Sequence, residues 1–174
     1  HYHYRLVACG FEDIQSNERF VLNINHLRSK RGTGKESNAK RMTNVDSLLV
    51  MLHNIQENQI FHDTDILLVG DYNCYTQEQP IQTLIQNGYE DLVMQYDSTG
   101  YSYVYHIEAG YLDRVFASPT MAKQVKMVRP YHLNTDYFYS RGFKRGLDKT
   151  IFRYADHDPI LISIQLVPNH IHHD

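Results

Sequence analysis

The chain has 174 residues, 42% of them hydrophobic and 21% charged, which excludes a disordered or fibrous protein and fits one domain with a sizeable core. No apolar run approaches the length of a membrane span. The formal net charge of −3 gives no general attraction to polyanions, so a nucleic-acid surface would need a local concentration of cations.

In chain order, residues 4–11 and 18–25 read as a β-hairpin turning around Gln15-Ser16-Asn17-Glu18. Its second strand, Phe20-Val21-Leu22-Asn23-Ile24-Asn25-His26, ends on a histidine. A polar, glycine-containing loop over 28–36 follows. Ser37 or Asn38 then caps a helix whose Met42, Val45, Leu48, Leu49, Leu52 and Ile55 recur at helical spacing, so one face packs on a sheet. Residues 65–69 form a buried strand with Gly70-Asp71-Tyr72-Asn73 at its tip. Pro80 opens a shorter helix with Ile81, Leu84 and Ile85 on its inner side, and Gly88 ends it. Residues 101–106 and 111–117 read as a second hairpin across Glu108-Ala109-Gly110, which sets Asp113 inside a strand. A short strand over 125–128, a long loop over 129–154 rich in tyrosine and arginine, and a final strand over 160–166 complete the chain. No repeat or linker divides it.

Polar chemistry recurs at the strand tips. A buried carboxylate without a partner is costly, so Asp113 needs one, and His157 in Ala155-Asp156-His157-Asp158-Pro159 is available. The expected cluster is His26, Asp71, Asn73, Asp113, Asp156 and His157 at one end of a sheet. Each residue alone has an ordinary explanation: Asp113 as a paired structural carboxylate, Asp71 as a turn residue, His26 as a strand-end histidine. Asp158 is expected to turn the chain before Pro159 and to do no chemistry.

These boxes, in this order, resemble the endonuclease/exonuclease/phosphatase superfamily. Asn25-His26-Leu27-Arg28-Ser29-Lys30, Asn38-Ala39-Lys40-Arg41, Tyr101-Ser102-Tyr103-Val104-Tyr105 and Ala109-Gly110-Tyr111-Leu112-Asp113 are similar to its secreted bacterial nucleases. Family members usually carry Ser where this chain has Ala155. The resemblance implies an α/β fold: part of a four-layer α/β sandwich like that of pancreatic deoxyribonuclease, with mixed, largely antiparallel sheets flanked by helices. It implies metal-dependent phosphodiester hydrolysis by an extracellular DNase, secreted or in the cell envelope, with DNA or RNA as substrate. A phosphatase or phospholipase acting on phosphoinositides or sphingolipids is the alternative within the same chemistry. Family members also have a first half, with a Gln-Glu box whose glutamate binds metal, and no such box occurs here. The expectation is therefore that residues 1–167 form a single incomplete domain lacking its N-terminal half, with 168–174 a tail. The missing half would be preceding sequence or a partner chain. The chain alone would have little activity, or would serve as a catalytically incomplete binding half-domain.

Within that reading the residues divide the work. Asp113 fixes the tautomer of His157 and stabilises its imidazolium, and His157 acts on the scissile phosphate as base or as donor. Asp71 and Asn73 stand at alternate positions, so both side chains leave one side of an extended segment. The Asn73 amide can donate to phosphate, and Asp71 can orient water, protonate a leaving group or bind a cation. Asp156 is the best-placed metal ligand, with Asp71 second, and hard oxygen donors favour Mg2+ or Mn2+, with Ca2+ also admissible, over zinc. His26 is suited to touching phosphate.

Two stretches carry the cations: Arg28, Lys30, Arg31, Lys35, Lys40 and Arg41, then Arg141, Lys144, Arg145, Lys149 and Arg153. They read either as solvated loops or as phosphodiester-binding loops, in which Arg28, Lys30 and Arg41 position the backbone. Among the 14 tyrosines, Tyr131, Tyr137, Tyr139 and Tyr154 in the long loop are expected to be half-buried anchors rather than base-stacking platforms. Cys9 and Cys74 read as unpaired thiols or one bridge, and Cys74 is not expected to be a nucleophile.

Overall fold

The computed structural model describes residues 5–30, 34–57, 65–137, 152 and 154–167. The first hairpin is present as β1 (Arg5–Glu12) and β2 (Arg19–His26), paired antiparallel from Arg5↔His26 to Glu12↔Arg19. Its turn is tied by Asp13, whose Oδ2 accepts from the amide and hydroxyl of Ser16 at 2.8 and 2.6 Å. The long helix α1 (Gly34–Glu57) begins upstream of Ser37, whose hydroxyl donates to the Gly34 carbonyl inside the first turn instead of capping it. Passing through α1, the chain returns as β3 (Ile66–Asp71) parallel to β2, as a helical crossover requires.

The short helix α2 (Gln79–Gln86) turns Ile81 and Leu84 inward, whereas Ile85 is 38% exposed, just off the buried stripe. β4 (Glu90–Asp91) and α3 (Leu92–Tyr96) follow, with Asp91 capping α3 by accepting from the Met94 amide at 3.3 Å. The expected second hairpin is rearranged. β5 (Tyr103–Tyr105) pairs with β6 (Glu108–Gly110) across His106-Ile107. β7 (Asp113–Ala117) leaves that ribbon to pair antiparallel with β3 and β4. The reason is burial: Val115 and Phe116 supply apolar side chains to the two opposite faces of the main sheet. α4 (Pro119–Gln124), β8 (Val125–Pro130) and β9 (Ile160–Ile164) complete the described elements, β8 and β9 pairing antiparallel.

The main sheet has the order β1-β2-β3-β7-β4. One face packs Val21, Ile66, Leu68 and Phe116 against Val45, Leu48 and Leu52 of α1 and Ile81 and Leu84 of α2. The other face packs Leu67 and Val115 against Leu92, Met121, Val125 and Val128. Alternation along β2, β3 and β7 supplies both cores from single strands. Between the second face and β9 lies a groove of about 390 Å³, lined by apolar side chains including Phe20, Leu22, Val69, Ile160, Ile162 and Ile164. Among the described residues no helix is long and apolar enough to cross a membrane.

Candidate active site

Strand register builds the site. His26 pairs with Asp71 across β2 and β3, and Asp71 pairs with Asp113 across β3 and β7, so three polar residues stand in one row at the sheet's end. Gly70 permits this approach: its φ is +135°, and a Cβ there would lie 1.9 Å from the Asn25 carbonyl oxygen. Beyond Asp71 the strand stops. Asn73 has a φ of 50°, and its backbone and side-chain N–H groups donate to the two Asp71 carboxylate oxygens at 2.7 and 2.9 Å. The side-chain amide also donates to the Leu27 carbonyl at 3.1 Å. Asp71 and Asn73 thus meet through a turn and not through strand alternation, and the Asn73 amide is engaged in holding Asp71.

His157 approaches from the far side of the sequence. Its Nδ1 lies 2.7 Å from Asp113 Oδ2, the oxygen that also accepts from the Ser102 hydroxyl at 2.6 Å. A bridge between Tyr103 and His157 and a bond from the Asn134 side chain to the His157 carbonyl, 2.7 Å, fix the backbone behind the ring. Ligand atoms of Asp71, Asp113 and His157 all lie within 4.8 Å of one another, a group that can hold a metal ion. His26 stands outside it, 72% exposed at the side chain, with Nε2 3.6 Å from Asp71 Oδ2. Asp156 is exposed beside His157.

The electrostatics follow from this crowding. Burial and the neighbouring Asp113 charge hold the Asp71 carboxyl above the usual carboxylate range, against the pull of His157 and the Asn73 bond. Burial alone would lower His157, but the hydrogen bond and charge of Asp113, with the charges of Asp71 and Asp156, raise it above the ordinary imidazole value.

The cationic residues are placed differently from their sequence reading. Arg41 is only 3% exposed; its guanidinium reaches the Arg28 carbonyl, the Ser37 hydroxyl and Glu78, each at 3.4 Å. It is an internal strut, because its position in α1 faces the core. Lys30 pairs with Glu78 and sits 4.0 Å over the Tyr75 ring. Arg28 is partly buried. Glu78, which organises this group and also accepts from the Tyr75 amide at 2.8 Å, carried no sequence signal. Arg31 and the second basic stretch, Arg141 to Arg153, lie outside the described residues, as does Tyr139. Tyr154 is 70% exposed and not a half-buried anchor, whereas Tyr131 and Tyr137 are about half exposed, and Tyr137 stacks on Phe152 at 4.3 Å.

Both cysteines are free, and burial, above all other influences, pushes the Cys74 thiol up to about 12, which leaves it inert as a nucleophile. Arg114, next to Asp113, points the other way into a buried pair with Asp91 at 3.0 Å. Asp158, expected to turn the chain before Pro159, instead holds a distant segment: its Oδ1 accepts from the amides of Leu133, Asn134 and Thr135, and its Oδ2 from His132 and the Thr135 hydroxyl.

No family model matches the chain, and no curated protein matches it in sequence. Solved structures do match in fold. An endonuclease/exonuclease/phosphatase family protein from Bacteroides thetaiotaomicron superposes with a TM-score of 0.62 at 18% identity, covering 96% of this chain and 55% of its own. A mannosyl-6-phosphatase from the same organism gives 0.60 at 16%, covering 91% and 57%. An AP endonuclease from Archaeoglobus fulgidus gives 0.59 at 10%, covering 84% and 62%. The chain spans little more than half the length of these structures. At such identities the shared property is the fold, the mixed α/β architecture of the endonuclease/exonuclease/phosphatase structures.

Proposed function

We propose that this chain, which has the endonuclease/exonuclease/phosphatase fold, carries the Asp–His part of a divalent-metal-dependent phosphodiesterase site that cleaves nucleic acid, as an extracellular DNase. The observation that carries the reading is the convergence of Asp71, Asp113 and His157 within 4.8 Å, from two strand ends and an isolated bridge distant in sequence. Asp113 accepts from Nδ1 of His157, which leaves Nε2 for the substrate. The raised His157 pKa favours the imidazolium, and its Nε2–H then donates to a phosphoryl oxygen as charge builds in the transition state. Asn73 orients Asp71 through the 2.7 and 2.9 Å bonds, so that this carboxylate can direct the attacking water or the leaving oxygen. His26 and Lys30 stand at the rim as phosphate contacts, and Arg28 and Arg41 shape the segment that presents Lys30.

The donor set suits a hard cation. Two carboxylates crowd at Asp71 and Asp113, and the raised Asp71 pKa reflects burial first and the like charge of Asp113 second, a crowding that a cation would relieve. Of the expected ligands, Asp71 lies in the 4.8 Å group with Asp113, while Asp156 lies outside it; Asp71 and Asp113 would hold Mg2+, with Mn2+ or Ca2+ as substitutes, and the ion would supply charge neutralisation at the phosphoryl group. Residues 1–167 are read as one incomplete domain, completed by preceding sequence or a partner chain. The apolar groove beside β9 and the coverage of only 55% of the Bacteroides structure support that reading.

The test is a side-by-side assay on DNA, RNA and inositol phosphates, with Mg2+ and with EDTA, for the chain alone and for the chain supplied with the complementary half. Little turnover alone and EDTA-sensitive DNA cleavage after complementation are expected. Hydrolysis of inositol phosphates in preference to DNA would move the assignment to a phosphatase. Salt-dependent DNA binding with no cleavage in either form would make the chain a binding half-domain.

A further inference from the structure

The β5–β6 hairpin carries a surface that the phosphate chemistry does not require. Its turn residues His106 and Ile107 have φ of 48° and 72°. Both central positions of a tight two-residue hairpin take positive φ, and Asn-Gly is the low-strain choice. A β-branched residue there is a steric outlier. Ile107 is also 98% exposed, so no packing within the described fold offsets the strain. A large apolar group is held in the open, where glycine would fold more easily.

The strand leading to this tip is an aromatic row. The Tyr103 and Tyr105 rings are 10° from parallel with centroids 6.3 Å apart. His106 sets its ring edge-on to Tyr105 at 4.2 Å. At the other end, the Tyr103 ring lies 4.5 Å from that of His157. The root of the hairpin is fixed to the site. Ser102 donates its hydroxyl to Asp113 at 2.6 Å, and its carbonyl accepts from the Asp158 amide at 2.8 Å. On the return strand, Gly110 lies so close to Tyr75 that a Cβ would stand 2.8 Å from the ring, and this is the ring that carries the Lys30 ammonium.

We infer that this hairpin is a stacking arm for unpaired nucleobases of a single-stranded polynucleotide. Tyr105, 58% exposed, offers its ring to a base, a sequence-tolerant contact, with Tyr103 stacked behind it, and Ile107 wedges against a base at the tip. Lys30, beside the root, meets the backbone. The row ends on His157, so a strand stacked along it delivers a phosphate to the Asp113–His157 pair. The inference rests on the phosphodiesterase reading and adds the substrate form: unpaired nucleotides.

Fluorescence anisotropy of the full chain in EDTA, with labelled oligothymidylate and an abasic deoxyribose-phosphate oligomer of equal length, tests it. The wild-type protein should bind the base-bearing strand about tenfold more tightly than the abasic one. Tyr105→Ala should abolish that preference without changing abasic affinity, and Tyr105→Phe should keep it. Ile107→Gly should melt at a higher temperature, because the turn is relieved, and yet bind oligothymidylate several-fold more weakly. That opposition separates function from folding damage. Equal affinity of the wild-type protein for both oligomers, or an Ile107→Gly protein that is more stable and binds as well as before, overturns the stacking arm while leaving a backbone-binding phosphodiesterase. No affinity for either oligomer, in the chain alone and in the protein supplied with the complementary half, overturns both readings.

Discussion

Two Asp–His pairs lie close together in this molecule, and their geometries are almost the same. His157 Nδ1 is 2.7 Å from Asp113, and His132 Nδ1 is 2.8 Å from Asp158. What separates them is the rest of each carboxylate's environment. Asp158 has a side chain with no exposure, and it accepts from three backbone amides and the Thr135 hydroxyl as well as from His132. Burial works against its charge, but those hydrogen bonds outweigh it and hold the carboxyl below its ordinary value. Asp113 accepts from Ser102 and His157 and faces Asp71, whose own pKa is raised by burial and by Asp113. One carboxylate is fully compensated and pins the 131–137 segment. The other belongs to a cluster with surplus negative charge, the condition expected of a site that awaits a cation or a phosphate-bearing transition state.

If the pairs differ in this way, the largest separation should come from breaking their imidazoles. In the complemented protein, His157→Ala or Asp113→Asn should lower turnover by about two to four orders of magnitude with a nearly unchanged melting temperature. His132→Ala should do the reverse, lowering the melting temperature and leaving turnover within severalfold. Steady-state kinetics beside thermal melts would check both, and matching kinetic losses in the two histidine variants would erase the distinction. Asp158→Ala is the next largest effect. It strands three amide donors, that of Asn134 buried and those of Leu133 and Thr135 partly buried, and should cost about 3 kcal/mol in urea unfolding; a loss below about 1 kcal/mol would mean that water replaces the carboxylate without penalty.

Sequence made the strand tips legible because each apolar run ends abruptly on polar residues, at His26, Asp71 and His157. It could not give the register that sets His26, Asp71 and Asp113 in one row, since register is a property of pairing between strands and not of any one strand. The second hairpin is not legible in sequence because the turn signal inside it, Ala109-Gly110, lies in β6, while the real turn, His106-Ile107, has turn-averse chemistry. Arg41 looks like a surface cation in sequence because a basic run hides the helical phase that buries it. Glu78 left no pattern at all: a lone acid gains meaning only when the fold brings Lys30 and Arg41 to it. α3 and α4 are too short to show an amphipathic period.

The two carboxylates also predict opposite responses to acid. Asp158 has its folded pKa below the ordinary 3.8, so its stabilising contribution is complete above that value and is lost as pH falls through the lowered one. Asp71 has its folded pKa above 3.8, so the folded state binds its proton more readily. Its contribution is present below the ordinary value and is lost as pH rises through the raised one. Asp71→Asn should therefore stabilise the protein at neutral pH, by a modest amount, and flatten the Asp71 part of the profile. Asp158→Asn should destabilise it at neutral pH and weaken the acid-side loss. Urea midpoints measured across the acid range for both variants would show the two slopes; the same sign in both would remove the electrostatic contrast.

The smallest expected effect concerns the cations tied to Glu78. Lys30 is more than a third exposed at its side chain and shares Glu78 with the buried Arg41. A surface ion pair of this kind contributes little to stability, so Lys30→Ala should leave the melting temperature almost unchanged. If Lys30 meets a phosphate, the same variant should weaken binding of every DNA sequence alike and reduce the salt slope of binding by about one. Arg41→Ala should behave as a core lesion instead, lowering stability at all salt concentrations, because it removes a buried guanidinium and leaves Glu78 held by Lys30 and the Tyr75 amide alone. An unchanged salt slope for Lys30→Ala would take Lys30 off the substrate path and leave Glu78 as a purely structural clamp on α1.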